Sequence, residues 1–243
     1  GIDSVEIVRH DVLLPYPGDI SVDMTAPHRW HATLRDSEED AVAFHAYGAS
    51  GDVTAPVVFA GGGTPADFDW LAERGVDVRG RIVLLRYSVP YSYRGYKVFS
   101  AQQRGAAAVL MYSDPIDEGD AGGAPYPAGP RGPETRVQRG AVGFDFLAPG
   151  DPLTPGWAST PGARRLPRDA AEALPSIPSV PISARDAREI LRALEGPPAP
   201  RPWRGALATS YRVGPGATVR VRVANNEAVR PIDRVIHLGD FCK

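Results

Sequence analysis

The chain has 243 residues, a formal net charge of −2, 43% apolar residues and 8% aromatic residues. That is enough chain for one large domain or two small ones with real cores, and the near-neutral balance gives no electrostatic case for nucleic acid. No apolar run reaches membrane-spanning length, Gly1 opens no signal-peptide pattern, and Cys242 is a single cysteine with no partner for an intramolecular disulfide.

Residues 4–14, SVEIVRHDVLL, alternate imperfectly and predict a strand stopped by Pro15, Pro17 and Gly18. VDMTAPHRWHATL (22–34) predicts an extended pair around Pro27, and the acidic run 36–40 predicts a solvated turn. AVAFHAYGASG and APVVFAGGG predict a strand, a loop, and a strand ending at Gly61–Gly63. A helix is predicted over 65–75, with Thr64 as cap, Pro65 in the first helical position and Gly75 closing it. GRIVLLRYS (80–88) has the continuous apolar core of a strand buried on both faces. A helix over 96–105 and the strand AAAVLMYS follow, so 56–113 alternates strand and helix as in an α/β layer.

Glycine and proline then crowd 115–167, which predicts an ordered excursion over the surface anchored by Tyr126, Val137 and Val142. EALPSIPSVPIS reads as extended chain, and Ser183 caps an amphipathic helix over 184–196 with Ala187, Ile190, Leu191 and Leu194 inward. Residues 208–214 and 217–225 predict two alternating strands around Gly214-Pro215-Gly216, and 231–243 begins another. The expected core comprises Val57, Val58, Phe59, Ile82, Val83, Leu84, Leu85, Ala107, Val109, Leu110 and Ile190.

The candidate chemistry is sparse. Gly61–Gly63 and Arg94-Gly95 both stand at strand-to-helix turns, but neither carries the glycine spacing of a nucleotide loop. His28, His31 and Asp23 are the zinc candidates, and their spacing does not demand a metal. Ser50 in YGASG lacks the pattern of a nucleophile elbow. Asp114, Asp117, Glu118 and Asp120 form either a solvated acidic loop or a set of oxygens suited to a hard cation such as calcium. These residues alone indicate an α/β domain without a catalytic constellation.

GVDVRGRIVLLRYS (75–88) and YRGYKVFSAQQRGAAAVLMYSDP (93–115) together resemble the protease-associated (PA) domain of the M28 zinc peptidases related to glutamate carboxypeptidase II; the transferrin receptor is similar. The resemblance continues through YPAGP (126–130), VQRG (137–140), APGDPLTPGW (148–157), LPSIPSVPIS (174–183) and WRGALATSYRVGPG (203–216), covering nearly the whole chain. It implies a β-rich α/β fold with flanking helices and extra terminal strands. Residues 1–20 then match the edge of a catalytic domain, 21–224 the protease-associated domain, and 225–243 the start of the catalytic domain.

The role implied is that of a substrate-covering and protein-contact domain of a zinc-dependent amino- or carboxypeptidase, without catalytic residues of its own. The alternatives are a non-catalytic receptor-like binding module and, less well supported, a self-contained zinc hydrolase. No cofactor is expected in the isolated chain; zinc, and a calcium ion touched by backbone oxygens at Gly123 and Tyr126, belong to the longer family context. Arg94, Lys97 and Arg139 are the expected substrate or interdomain contacts, with Arg94 and Lys97 also building the strand–helix shell. The implied partners are the catalytic domain, a peptide substrate and a second copy in a homodimer, in an extracytoplasmic or secreted setting. Strands 4–14 and 232–238 are expected to pair with each other, dimerise or fray.

Overall fold

The computed structural model describes residues 2–35, 42–87, 93–117 and 123–239. The acidic run 36–40, Glu118, Asp120, Asp240 and Cys242 lie outside the described residues. The strands are β1 (Ile2–Tyr16), β2 (Ile20–Ala26), β3 (Trp30–His31), β4 (His45–Ala46), β5 (Gly51–Phe59), β6 (Ile82–Arg86), β7 (Ala108–Tyr112), β8 (Gly140–Ala141), β9 (Ser179–Pro181), β10 (Thr218–Val223) and β11 (Asn226–Gly239). The helices are α1 (Pro65–Ala72), α2 (Arg94–Gln103) and α3 (Ala184–Arg192). The result is the expected mixed α/β, strand-rich fold.

One seven-stranded sheet runs β3-β2-β10-β5-β6-β7-β9. The half from β5 to β9 is parallel and the half from β3 to β10 is antiparallel. Every residue of β6 and β7 is buried, as their apolar runs predict. The expected core residues lie there or against it, with one correction. Ala107 is half-buried, because it precedes β7 in the turn from α2, where its amide donates to Arg81 O; Ala106 and Ala108 are the buried neighbours.

Local chemistry explains the helix ends. Thr64 Oγ1 accepts from the Asp67 amide at 3.1 Å while Asp67 Oδ2 accepts from the Thr64 amide at 2.9 Å, a reciprocal cap for α1. Gly75 follows with φ +71°, a conformation that suits glycine at a helix end. Ser183 caps α3 through the Asp186 amide and turns Ala187, Ile190 and Leu191 inward. The start of α2 has no side-chain cap at Tyr93, and the helix begins at Arg94, two residues before the expected start.

Two expected strands shrink. In 42–50 His45–Ala46 is the described strand pairing, with β8, and Tyr47 then turns with φ 67°. Residues 208–214 are not a strand; Arg212 makes a single bridge to Pro198. Gly214 takes φ +87° there, and the chain reaches β5 only through Phe59 N–H to Val213 O and Val57 N–H to Ala217 O, spanning Gly214–Gly216 as an irregular excursion.

The terminal strands β1 and β11 form a separate antiparallel ribbon, one of the three expected outcomes. Its inner end is clamped to the body. The Asp11 amide donates to Ser159 O, the Leu13 amide to Asp151 Oδ2 at 2.6 Å, and Tyr47 Oη to Leu13 O at 3.0 Å.

Candidate functional site

The C-terminal ends of β5, β6 and β7 meet the N-termini of α1 and α2, the edge where parallel α/β sheets usually place chemistry. Here it holds a buried polar network. Lys97 on α2 is fully buried, and its Nζ donates to Gly62 O and, at 3.2 Å, to Arg86 O. Arg86, the last residue of β6, donates from Nη1 to Trp203 O at 3.0 Å and sets Nε 2.7 Å from Asp117 Oδ2. Asp114 is also fully buried. Its carboxylate accepts from Tyr211 Oη at 2.7 Å, Tyr112 Oη at 3.4 Å, the Ala206 amide at 2.7 Å and the Ile116 amide at 3.1 Å.

Burial sets the proton affinities. It pulls the Lys97 ammonium down to about 7, against the opposing pull of the Asp67 carboxylate. Burial raises the Asp117 carboxyl despite Arg86, and raises the Tyr112 and Tyr211 phenols beside Asp114. The network satisfies itself and leaves little for a substrate to engage. Lys97, expected both as a contact residue and as part of the strand–helix shell, stands inside that shell. Asp114 and Asp117, expected on a solvated or ion-binding loop, are drawn inward by Tyr211, Arg86 and backbone amides.

Arg94 lies one turn before Lys97 and is half-buried. Its guanidinium stacks 4.5 Å over the Tyr87 ring and packs against Gly140, where any Cβ would come within 2.6 Å of it. Gly95 is required for a similar reason: a side chain there would run into Gly143 O. The resulting crevice of about 390 Å³ is lined by Tyr93, Arg94, Asp145 and Ala148 among others. Tyr93 and Phe144 line it and belong to an aromatic cluster that extends beyond it. Tyr93, Tyr96, Phe99, Phe144 and Phe146 form a chain of ring contacts with centroids 5.2–6.1 Å apart. Tyr93 and Phe146 keep 45% and 42% of their surface exposed. Arg139 is exposed on the approach to β8.

The remaining candidates do not converge. Asp23 Oδ1 lies 2.6 Å from His31 Nδ1, whereas His28 is exposed beyond them. Among the described residues no group of three His, Cys, Asp or Glu side chains could hold a metal ion, so the zinc trio is not assembled. Ser50 Oγ donates to Asn225 O at 3.3 Å and has no base beside it. His45 Nδ1 lies 2.7 Å from Ser179 Oγ, a pairing that sequence did not suggest, but both residues are buried and burial drives the imidazole down to about 3. Tyr126 is 74% exposed, and its amide donates to Arg131 O, closing the 126–131 loop.

Residues 53–143 match the family model described as "PA domain". Over 247 residues the chain is 38% identical to a "Probable glutamate carboxypeptidase" of Arthroderma benhamiae, covering 93% of this chain and 33% of that protein. Over 198 residues it is 39% identical to "Transferrin receptor protein 2" of Homo sapiens, covering 81% of this chain and 23% of the receptor. Among solved structures, an aminopeptidase from Aneurinibacillus sp. strain AM-1 superposes with a TM-score of 0.50 at 18% identity, covering 96% of this chain and 37% of that one. The chain thus spans about a third or less of the length of these relatives.

Proposed function

From the premise that this chain is the protease-associated-domain region of a protein of the M28 peptidase and transferrin-receptor kind, we propose that it is a non-catalytic covering and contact domain of a zinc-dependent amino- or carboxypeptidase. The observation that carries this reading is the Arg94 crevice, lined by exposed Tyr93, with the exposed ring of Phe146 packed edge-on against Tyr93. A fixed cation beside exposed aromatic rings suits the carboxylate and apolar side chains of a peptide, or an opposing domain wall. Arg139 is the second contact residue in this proposal.

Zinc belongs to the catalytic part in this reading. The described residues do not fit it: Asp23 and His31 make one close pair, and a catalytic zinc needs three protein ligands. For calcium, Gly123 and Tyr126 offer backbone carbonyls, well short of the six to eight oxygens the ion prefers, so the remaining ligands would come from elsewhere. No helix among the described residues is long and apolar enough to cross a membrane. An extracytoplasmic setting is part of the proposal, by analogy with the receptor relative.

The test has two arms. The purified chain, supplied with zinc, is assayed against aminopeptidase and carboxypeptidase substrates, and no chelator-sensitive hydrolysis is expected. The genomic sequence around the coding segment is then searched for an in-frame continuation with His, Asp and Glu ligands. Hydrolysis by the chain alone would refute the covering role. A receptor-like module is the second reading, favoured by the 39% identity to transferrin receptor protein 2. A continuation lacking those ligands would select it.

A further inference from the structure

The Arg94 guanidinium is wedged between the Tyr87 ring and Gly140, where the missing side chain leaves the space that Arg94 Nε, Cζ and Nη1 fill. The same space has a second neighbour. β4 and β8 pair in parallel register with His45 opposite Gly140, and paired residues set their side chains on one face of a ladder. The His45 imidazole therefore stands beside the Arg94 guanidinium. Burial first, and the Arg94 charge second, drive this imidazole down to about 3, so it is neutral at physiological pH.

Both neighbours carry an unsatisfied atom. Arg94 Nε and His45 Nε2 are buried and have no hydrogen-bond partner. A neutral imidazole has one N–H and one lone pair. Next to a cation the lone pair is the stable choice at Nε2, so the proton belongs on Nδ1, which lies 2.7 Å from Ser179 Oγ. A buried donor and a buried acceptor thus stand side by side, and each costs free energy while it lacks a partner. A small turn of the guanidinium, or one water between them, joins the two.

We propose that His45 is a positioning residue for Arg94: its Nε2 accepts the Arg94 Nε–H, directly or through one water, and fixes the guanidinium with its Nη groups toward the crevice. A neutral partner orients the cation and leaves its charge for an anionic ligand, whereas a carboxylate in this place would cancel it. The purpose of the bond rests on the reading of the crevice given above; the bond itself does not.

The experiment uses the full chain, isotopically labelled in histidine and arginine nitrogen. Long-range nitrogen–proton spectra read the His45 tautomer, and hydrogen exchange reads the Arg94 Nε–H. A proton on His45 Nδ1 and a lone pair on Nε2 are expected. The Arg94 Nε–H should exchange about ten-fold more slowly in the parent than in His45→Phe. His45→Gln, whose amide oxygen reaches the Nε2 position, should restore slow exchange, which a space-filling role for His45 does not predict. A proton on Nε2 in the parent, or equal exchange in the parent and His45→Phe, would overturn the proposal, and the first readout needs no variant to fold. In a second arm N-acetyl-phenylalanine and its amide are titrated. The acid should bind the parent and His45→Gln, and His45→Phe about ten-fold more weakly; equal affinity of the acid for the parent and His45→Phe would also overturn the proposal. Slow Arg94 Nε–H exchange with no binding of the acid to the parent would instead refute the carboxylate reading of the crevice while upholding the bond.

Discussion

The β5–β6–β7 body and the β1–β11 ribbon are held by opposite means. In the body, charged groups are buried and matched: Lys97 to two carbonyls, Arg86 to Asp117, and Asp114 to two phenols and two amides. In the ribbon, the backbone ladder carries the structure while apolar side chains face solvent, Ile7 at 68% exposure with Val229 and Ile232 beside it in kind. A two-stranded ribbon alone is marginal in water, so its clamp to the body through Asp151, Ser159 and Tyr47 decides whether its inner half stays folded. Strongly placed charges in this chain are thus structural, and function is to be sought where side chains remain exposed around Arg94 and along α2.

The contrast breaks most visibly at Asp114. Truncation to alanine strands two buried hydroxyls and two amides, and should cost about 3 kcal/mol by urea unfolding. The loss belongs to the body alone, so hydrogen exchange in β1 and β11 should accelerate only with global unfolding. A loss below about 1 kcal/mol would mean that water replaces the carboxylate and that the network is not the keystone.

Lys97 sharpens the same point through pH. The unfolded lysine holds its proton up to about 10.4, while burial lets the folded one release it near 7. Between those values the unfolded chain binds more protons, so stability rises with pH across that window and is flat below it. Lys97→Met removes the rise and leaves Gly62 O and Arg86 O without this donor, costing about 1–3 kcal/mol at pH 7. Urea midpoints of both proteins at pH 7 and 9 test this; parallel pH profiles would show that Lys97 does not titrate there.

The legible parts of the molecule were those written in local chemistry. Thr64-Pro65 with Asp67 announces α1, Ser183 with Asp186 announces α3, and the apolar runs of β6 and β7 announce the buried sheet. The start of α2 was missed because Tyr93 offers no capping side chain. The Asp114–Tyr211 bond joins residues 97 positions apart, and nothing in either neighbourhood signals the other. The shell position of Lys97 was expected from the resemblance, and a local signal supports it: Ser100 and Ala101, three and four residues on, share its helix face and are buried. The tyrosine–phenylalanine cluster was missed because Phe144 and Phe146 sit in an irregular segment with no periodicity to mark a face.

On the ribbon the informative change is Asp151→Ala. Its two carboxylate oxygens hold the Leu13 and Leu153 amides at 2.6 and 2.8 Å. The expected global loss is about 1 kcal/mol, with a local signature that Asp114→Ala lacks: amides of 8–14 and 226–232 should exchange faster while β6 and β7 keep their protection. Uniform acceleration across both regions would merge ribbon and body into one cooperative unit and end the comparison.

The smallest effects fall on exposed ion pairs, one from each region. Arg220 forks onto Asp52 at 2.6 and 2.8 Å in the body, and Arg9 meets Asp233 at 2.9 Å on the ribbon. All four groups are solvent-exposed, and each arginine holds its carboxyl below the usual range. A lowered folded value means that any stabilisation is present above the ordinary carboxylate pKa and is lost as pH falls through the folded one. Exposed pairs contribute little and are screened by salt, so Asp233→Asn should leave the unfolding midpoint unchanged within error at every pH. Asp52→Asn should lower it slightly at neutral pH and low salt, because the bidentate Arg220 fork on a rigid sheet loses less side-chain freedom than the single contact on the ribbon, and the gap from the parent should close as pH falls through the depressed Asp52 value, where the parent carboxyl is protonated too. Equal neutral-pH shifts in the two variants would show that the ribbon is as rigid as the sheet.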